Sequence, residues 1–121
     1  MAAILIVEDD TFIGELATML LQDLGHEILT AGDVDEALLI LESARRIDVL
    51  FTDIHLKKAV IGGCTVALRA VVLRPGTLVL YTTGNAITDE LKAHFIEGSR
   101  VLRKPYTHHQ LKASIDLLLA A

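Results

Sequence analysis

Three apolar segments of this 121-residue chain run directly into charged residues that are suited to joint chemistry. The first segment ends in Glu8 and Asp9, the second in Asp53 and the third in Lys104. At the carboxyl edge of an open parallel sheet such strand ends converge, and ligands bind in the crevice beyond them. Two like charges about 4 Å apart repel by roughly 4 kcal/mol at an effective dielectric constant of about 20. Mg²⁺, which prefers oxygen ligands, relieves that repulsion, so the residues predict a metal-assisted phosphoryl-transfer site.

Length and composition limit what the chain can be. A single domain over residues 1–121 fits the length, and a hydrophobic share of 52% indicates a packed core. The net charge of −5 argues against direct binding of nucleic acid. We expect neither a membrane span nor a signal peptide, because the apolar runs are short and no basic segment precedes the first strand. Cys64 is the single cysteine, which favours a reducing cytoplasm.

Strand-like apolar runs alternate with segments of helical period along the whole chain. We predict strands at 3–7, 27–31, 47–52, 77–82 and 99–103. We predict helices at about 11–23, 34–44, 63–73, 87–95 and 107–119. Capping-box spacings open two of these helices, Asp33 with Glu36 and Thr107 with Gln110. The core-facing stripe of the first helix is predicted to be Ile13, Leu16, Ala17, Leu20 and Leu24.

The alternation predicts an α/β fold. The first, third and fourth strands are apolar without alternation, as in a parallel sheet that is covered on both faces. Five βα units in sequence predict a doubly wound, five-stranded parallel sheet with helices on both faces. The flavodoxin-like strand order 2-1-3-4-5 places the first strand beside the third, which brings Glu8, Asp9 and Asp53 together.

At these residues the chain resembles, over its whole length, the receiver domain of two-component response regulators. Glu8 and Asp9 match the family's acidic pair, and Asp53 matches its phosphoacceptor. The resemblance implies that Mg²⁺ binds Asp9 and Asp53 directly and Glu8 through water. It also implies that the metal takes the main-chain carbonyl two residues after the acceptor, which here belongs to His55.

Further matches follow the fourth and fifth strands. Thr83 and Gly84 match the family's hydroxyl residue and its small neighbour. Lys104 and Pro105 match the family's lysine and the proline whose preceding peptide bond is usually cis. A threonine hydroxyl and a lysine in these places would bind phosphoryl oxygens, and a carboxylate such as Asp53 can attack phosphorus.

The resemblance implies a function in signalling. Asp53 would take a phosphoryl group from a histidine kinase or a phosphotransfer protein, and the chain would then bind a downstream protein partner through a changed surface. The chain would assist its own phosphorylation and dephosphorylation, with no separate substrate to turn over, so we expect no enzyme in the ordinary sense.

Two parts of the chain depart from the family's pattern. Segment 57–63 replaces a shorter turn that often has a proline where Lys57 stands. Val101 occupies a position where many members carry an aromatic residue that rotates inward on activation. These departures keep a second interpretation open, a receiver-like interaction module that works without phosphorylation. A nucleotide or flavin binder is disfavoured, because no Gly-rich phosphate loop follows the first strand.

Other polar residues have plain structural interpretations. Asp10 is predicted to cap the first helix. The side chain of His55 is predicted to be a solvated loop side chain, with only its backbone at work. His108 and His109 are adjacent at a helix start and face apart, so a metal-binding pair is not expected.

Overall fold

The structure, a computed structural model, describes residues 1–120 as five strands alternating with five helices. The strands are β1 (Ala3–Val7), β2 (Glu27–Ala31), β3 (Val49–Asp53), β4 (Leu78–Thr83) and β5 (Arg100–Arg103). The helices are α1 (Thr11–Asp23), α2 (Val34–Glu42), α3 (Gly62–Leu73), α4 (Asp89–Lys92) and α5 (His108–Ala120). All strand pairs are parallel and the order is β2-β1-β3-β4-β5, which confirms the predicted fold and topology. Over residues 1–120, no helix has the length and apolar character needed to cross a membrane.

Alternate residues of the strands point to opposite faces of the sheet. Ile4 and Ile6 of β1 pack in the core beneath α1 and α5, whereas Leu5 and Val7 pack in the core beneath α2 and α3. Every residue of β1 and β3 is buried, as predicted for strands that are covered on both sides. The same alternation places Asp53, two residues after Phe51, on the α1/α5 face.

The predicted buried stripe of α1 is partly wrong. Ala17 and Leu21 are the buried residues, whereas Leu16 is 45% exposed and Leu24 is 37% exposed. The helix also turns Gly14 inward, since a Cβ added there would lie 3.7 Å from the Glu8 side chain. Periodicity alone does not choose between two adjacent apolar rows on one helix.

The predicted caps of α1, α2 and α5 are confirmed. The Asp10 carboxylate accepts a hydrogen bond from the Ile13 N–H at 3.1 Å, and Asp33 accepts one from the Glu36 N–H at 2.8 Å. The capping box of α5 is reciprocal. The Gln110 N–H donates to the Thr107 hydroxyl at 3.1 Å, and the Thr107 N–H donates to the Gln110 side chain at 2.8 Å.

Helix α4 is shorter than predicted, with four residues in place of the expected segment 87–95. The chain after Lys92 tightens into turns, in which the Phe95 N–H donates to the Lys92 carbonyl at 3.0 Å. The buried Tyr81 of β4 anchors this segment. Its ring stacks on Phe95 at 4.7 Å between centroids, and its hydroxyl accepts a hydrogen bond from the Ile96 N–H at 3.1 Å. The remaining element ends differ from the prediction by two residues or fewer.

Arg74, which follows α3, closes the carboxyl end of α2. Its guanidinium donates to the carbonyl oxygens of Leu41, Ser43 and Arg45 at 3.0, 2.7 and 2.5 Å. These carbonyls have lost their helical partners at the end of α2, and a cation is favourable at this end of the helix dipole. Arg74 therefore holds α2 and α3 in register on their face of the sheet.

We predict that Arg74→Ala lowers the free energy of unfolding by about 2 kcal/mol, because it removes charge-assisted hydrogen bonds to three carbonyls. Arg74→Lys should recover part of the loss. Arg69→Ala is the matched control, since Arg69 makes only a 3.9 Å surface contact with Glu42 and should change stability by less than about 0.5 kcal/mol. Urea unfolding of the three variants measures the differences. Equal losses in Arg74→Ala and Arg69→Ala would contradict the assignment.

Candidate functional site

The strand order brings the predicted acidic residues into one cluster. Glu8 and Asp9 follow β1, Asp53 ends β3, and the two strands pair with Val7 opposite Thr52. One carboxylate oxygen of each acid lies within 4.8 Å of the others. Glu8 and Asp9 are half-buried and Asp53 is buried, so their repulsion is poorly screened by water.

Lys104 joins two of these carboxylates. It follows β5, and its Nζ donates to Glu8 Oε1 at 2.7 Å and to Asp53 Oδ2 at 2.9 Å. Burial lowers the pKa of the Lys104 ammonium group, but the hydrogen bonds to Glu8 and Asp53 outweigh burial and raise the pKa above its usual value. Lys104 is therefore a fixed positive charge that offsets the acidic cluster.

The Glu8 carboxyl group is strongly perturbed. Burial raises its pKa to about 7, the negative charge of Asp53 acts in the same direction, and the hydrogen bond from Lys104 opposes both. A carboxyl group with this pKa binds a proton near neutral pH unless another cation takes the proton's place. A metal ion bound at Glu8 would therefore compete with a proton.

The unusual segment 57–63 contacts the acidic pair through Asp9. The main-chain N–H of Lys57 donates to Asp9 Oδ2 at 2.8 Å, and the main chains of Leu56 and Ala59 bond to each other. Gly63 is required where the segment enters α3, because a Cβ there would collide with the Asp53 carbonyl oxygen. The segment therefore has a defined shape that leaves the acidic cluster intact.

His55 lies closer to the site than the sequence indicates. Its N–H donates to Asp53 Oδ1 at 3.3 Å. Among the hydrogen bonds of residues 1–120, none ends on its main-chain carbonyl oxygen, so that atom is available as a metal ligand. The prediction of a solvated side chain is confirmed only in part: His55 is partly exposed, but Nδ1 lies 2.6 Å from the Val60 carbonyl, and Nε2 is buried without a partner in the described part of the chain. Because a carbonyl only accepts, Nδ1 carries a proton.

Thr83 and Gly84 stand at the end of β4 as predicted, and the Thr83 hydroxyl makes a local hydrogen bond. Thr83 is fully buried, and its hydroxyl accepts a hydrogen bond from the Asn85 N–H at 3.0 Å. Its carbonyl accepts the Lys104 N–H at 2.9 Å. Gly84 lies beside Lys104, and a Cβ at Gly84 would meet the Lys104 side chain at 3.9 Å, an ordinary contact. The peptide bond between Lys104 and Pro105 is cis.

Two residues of the site are absent from the candidates drawn from the sequence. Thr82 stands opposite Asp53 in the β3–β4 pairing and is 2% exposed. Tyr106 packs edge-on against Phe51 at 6.1 Å; burial raises the pKa of its hydroxyl to about 12, and the charge of Glu8 adds to the effect. Thr82 could have been found by its spacing of two residues from Leu80, which places it on the same face as Asp53.

Residues 4–116 match the family described as the response regulator receiver domain, so the chain belongs to this family. Its members are signalling modules of two-component systems, which interact with histidine kinases and downstream effectors, and they are not enzymes with a separate substrate to turn over. The resemblance drawn from the residues is confirmed.

Solved structures of receivers are similar to the chain over nearly its full length. A response regulator receiver protein from Sinorhizobium medicae WSM419 has a TM-score of 0.90 and 28% identity, covering 99% of this chain and 95% of that chain. A receiver domain protein from Clostridium thermocellum has a TM-score of 0.85 and 30% identity, with coverage of 99% and 95%. A CheY-like receiver domain protein from Methanospirillum hungatei JF-1 has a TM-score of 0.88 and 28% identity, covering 99% of this chain and 94% of that chain.

The raised pKa of Glu8 predicts how stability depends on pH when no metal is added. The protonated carboxyl group stabilises the folded state, so its contribution is present below about pH 4.5 and is lost as the pH rises through about 7. We compare the free energies of unfolding of the wild type and of Glu8→Gln. The wild-type value minus the Glu8→Gln value should fall by on the order of 1–3 kcal/mol between these two pH values.

Urea unfolding at a series of pH values measures this difference. Glu15→Gln is the control, because Glu15 is exposed on α1. A difference between the wild type and Glu8→Gln that does not change with pH would contradict the assigned burial of Glu8.

Proposed function

We propose that the chain is a phosphoacceptor receiver, in which Asp53 accepts a phosphoryl group with Mg²⁺ and the phosphorylated form binds a downstream protein partner. A histidine kinase or a phosphotransfer protein would be the donor. The observation that carries the proposal is the bridge from Lys104 to both Glu8 and Asp53, set within a cluster of three carboxylates. A cytoplasmic location fits the lone buried Cys64, which stays a free thiol there.

The transfer is a displacement at phosphorus. An oxygen of the Asp53 carboxylate forms a bond to phosphorus while the bond from phosphorus to the donor's imidazole nitrogen breaks, and that nitrogen keeps the electron pair. The transition state is loose, so the site contributes positioning and charge neutralisation. The His55 N–H and Lys104 Nζ orient the two oxygens of Asp53. As negative charge moves onto the phosphoryl oxygens, Lys104 follows it on its flexible stem.

The donor set of the site fits Mg²⁺. Asp9, Asp53 and the main-chain carbonyl of His55 would bind the ion directly, and Glu8 would hold it through water; all of these are hard oxygen ligands. When bound, the ion neutralises charge on the transferring phosphoryl group. The hydrogen bond from the Lys57 N–H holds Asp9 in place for this role.

A route from the site to a partner surface begins at Thr83. Its hydroxyl accepts the Asn85 N–H and retains a hydrogen that it would donate to a phosphoryl oxygen. A turn of the Thr83 side chain toward the phosphoryl group would pull on Asn85 and on the loop that leads into α4. Val101, half-buried in the core, takes the place of the rotating aromatic residue, so this loop would carry the change.

The donor protein has an apolar surface available beside the site. Phe12 and Met19 on α1 are 68% and 62% exposed, and Leu16 lies between them on the same side of the helix. A groove lined by residues of α1 and α5 runs from Leu16 to Lys104. We assign this surface to the phosphodonor, because the groove ends at Lys104, which bonds to Asp53.

We predict that acetyl phosphate with Mg²⁺ labels the wild type and that Asp53→Asn gives no detectable label, because an amide lacks the nucleophilic carboxylate. Asp9→Ala should lower the labelling rate by weakening Mg²⁺ binding. Asp10→Asn is the matched control: Asp10 neighbours the acidic pair but caps α1, and asparagine caps equally well. Mass spectrometry of the intact protein measures the label. An unlabelled wild type would favour the interaction module that works without phosphorylation.

The lifetime of the aspartyl-phosphate should depend on His55 and Asn85, which line one surface pocket beside the site. Water must approach phosphorus opposite Asp53. The His55 ring is folded back onto Val60, where it would shield that approach, whereas the Asn85 amide would hold the water. We expect His55→Ala to accelerate the decay about tenfold and Asn85→Ala to slow it about tenfold, each a change of about 1.4 kcal/mol in the barrier.

The decay is followed after removal of the donor, together with a magnesium titration. Magnesium affinity should be nearly unchanged in His55→Ala, because the proposed ligand is the main-chain carbonyl. His109→Ala, exposed on α5, is the control. If the decay rate is unaltered in both His55→Ala and Asn85→Ala, the assigned roles are refuted.

A further inference from the structure

Two buried side-chain polar atoms have no hydrogen-bond partner within residues 1–120, and one of them belongs to the residue that pairs with Asp53. One is His55 Nε2, and the other is the hydroxyl oxygen of Thr82. Thr82 is the residue of β4 that pairs with Asp53, and it is 2% exposed. It lines a narrow void together with Glu8, Asp53 and Tyr106.

An unpaired buried hydroxyl lowers stability and needs an explanation. The void is too narrow for a water molecule, so solvent does not satisfy Thr82. The neighbouring Thr52 shows the ordinary arrangement: it is fully buried, and its hydroxyl donates to the Asp53 main-chain carbonyl at 3.0 Å. A valine would fill the place of Thr82 with the same shape and no unpaired group. The hydroxyl therefore makes no stabilising hydrogen bond in the unphosphorylated state.

Phosphorylation of Asp53, as proposed above, would leave an acceptor for the Thr82 hydroxyl. In the unphosphorylated chain, Lys104 satisfies both Glu8 and Asp53. Once one oxygen of Asp53 is bonded to phosphorus, the negative charge lies on the phosphoryl oxygens, and Lys104 moves toward them. When Oδ1 is the oxygen that attacks phosphorus, the acyl oxygen is Oδ2, which then lacks the Lys104 donor that stood beside it.

We propose that Thr82 is a further positioning residue of the site, whose hydroxyl donates to the acyl oxygen of Asp53 during and after phosphoryl transfer. The side chains of paired residues on adjacent strands lie close enough for a rotation about χ1 to make this bond. No covalent bond to Thr82 forms or breaks. The proposal rests on the proposed phosphorylation of Asp53, and it predicts opposite effects on stability and on reaction rate.

Thr82→Val tests the proposal, with Thr82→Ser as the conservative variant. Thr82→Val should raise the midpoint of thermal unfolding by about 3–5 °C, because it removes an unpaired buried hydroxyl. It should slow labelling by acetyl phosphate about tenfold, the loss expected for one hydrogen bond in the transition state. Thr82→Ser should label at close to the wild-type rate. Thr52→Val is the matched control for stability, and it should lower the midpoint because its hydroxyl is bonded.

The outcomes separate the two proposals. A wild type that acetyl phosphate does not label would refute the proposed function, and the role of Thr82 with it. A labelled wild type with equal rates in Thr82→Val would refute the role of Thr82 alone. The role is likewise refuted if Thr82→Ser is as slow as Thr82→Val, or if Thr82→Val is less stable than the wild type, because each result would make side-chain packing the cause.

Discussion

The site depends on compensation of negative charge. Three carboxylates at the ends of β1 and β3 repel each other in a poorly screened crevice, and Lys104 offsets that repulsion by bonding to Glu8 and Asp53 together. Burial and the charge of Asp53 raise the pKa of Glu8 despite the hydrogen bond from Lys104, so the compensation is incomplete. Such a cluster would attract a further cation, and the same imbalance favours a proton at Glu8 when no other cation is present.

The surrounding structure serves to hold that cluster in place. Gly63 lets α3 begin directly against the Asp53 carbonyl, and the Lys57 N–H fixes Asp9. On α1, Gly14 lies next to the Glu8 side chain. The segment 57–63 departs from the family's pattern in sequence, but main-chain groups make its contacts with the site.

The sequence predicted the sheet and the acidic cluster because both follow from local pattern. Unbroken apolar strands require helices on both faces, and the strand order then places Asp53 beside the end of β1. The side chain of His55 and the hydroxyl of Thr82 could not be predicted in the same way, because their partners, or the lack of them, are set by residues from other elements. The length of α4 could not be predicted either, because its end depends on turns that pack against Tyr81.

The attachment of Tyr81 to the α4 region has a mechanical consequence. Strand β4 fastens the segment from Asn85 to Ile96 at both ends, through the Thr83 hydroxyl at the start and the Tyr81 hydroxyl at the finish. The second fastening lies in the core and is reinforced by the stack on Phe95, whereas the first is a single hydrogen bond at the edge of the site. A displacement of Thr83 would rotate the segment about its attachment to Tyr81. Displacement would then be greatest at the start of α4 and smallest near β5, so the two ends of this surface would respond unequally to the same event.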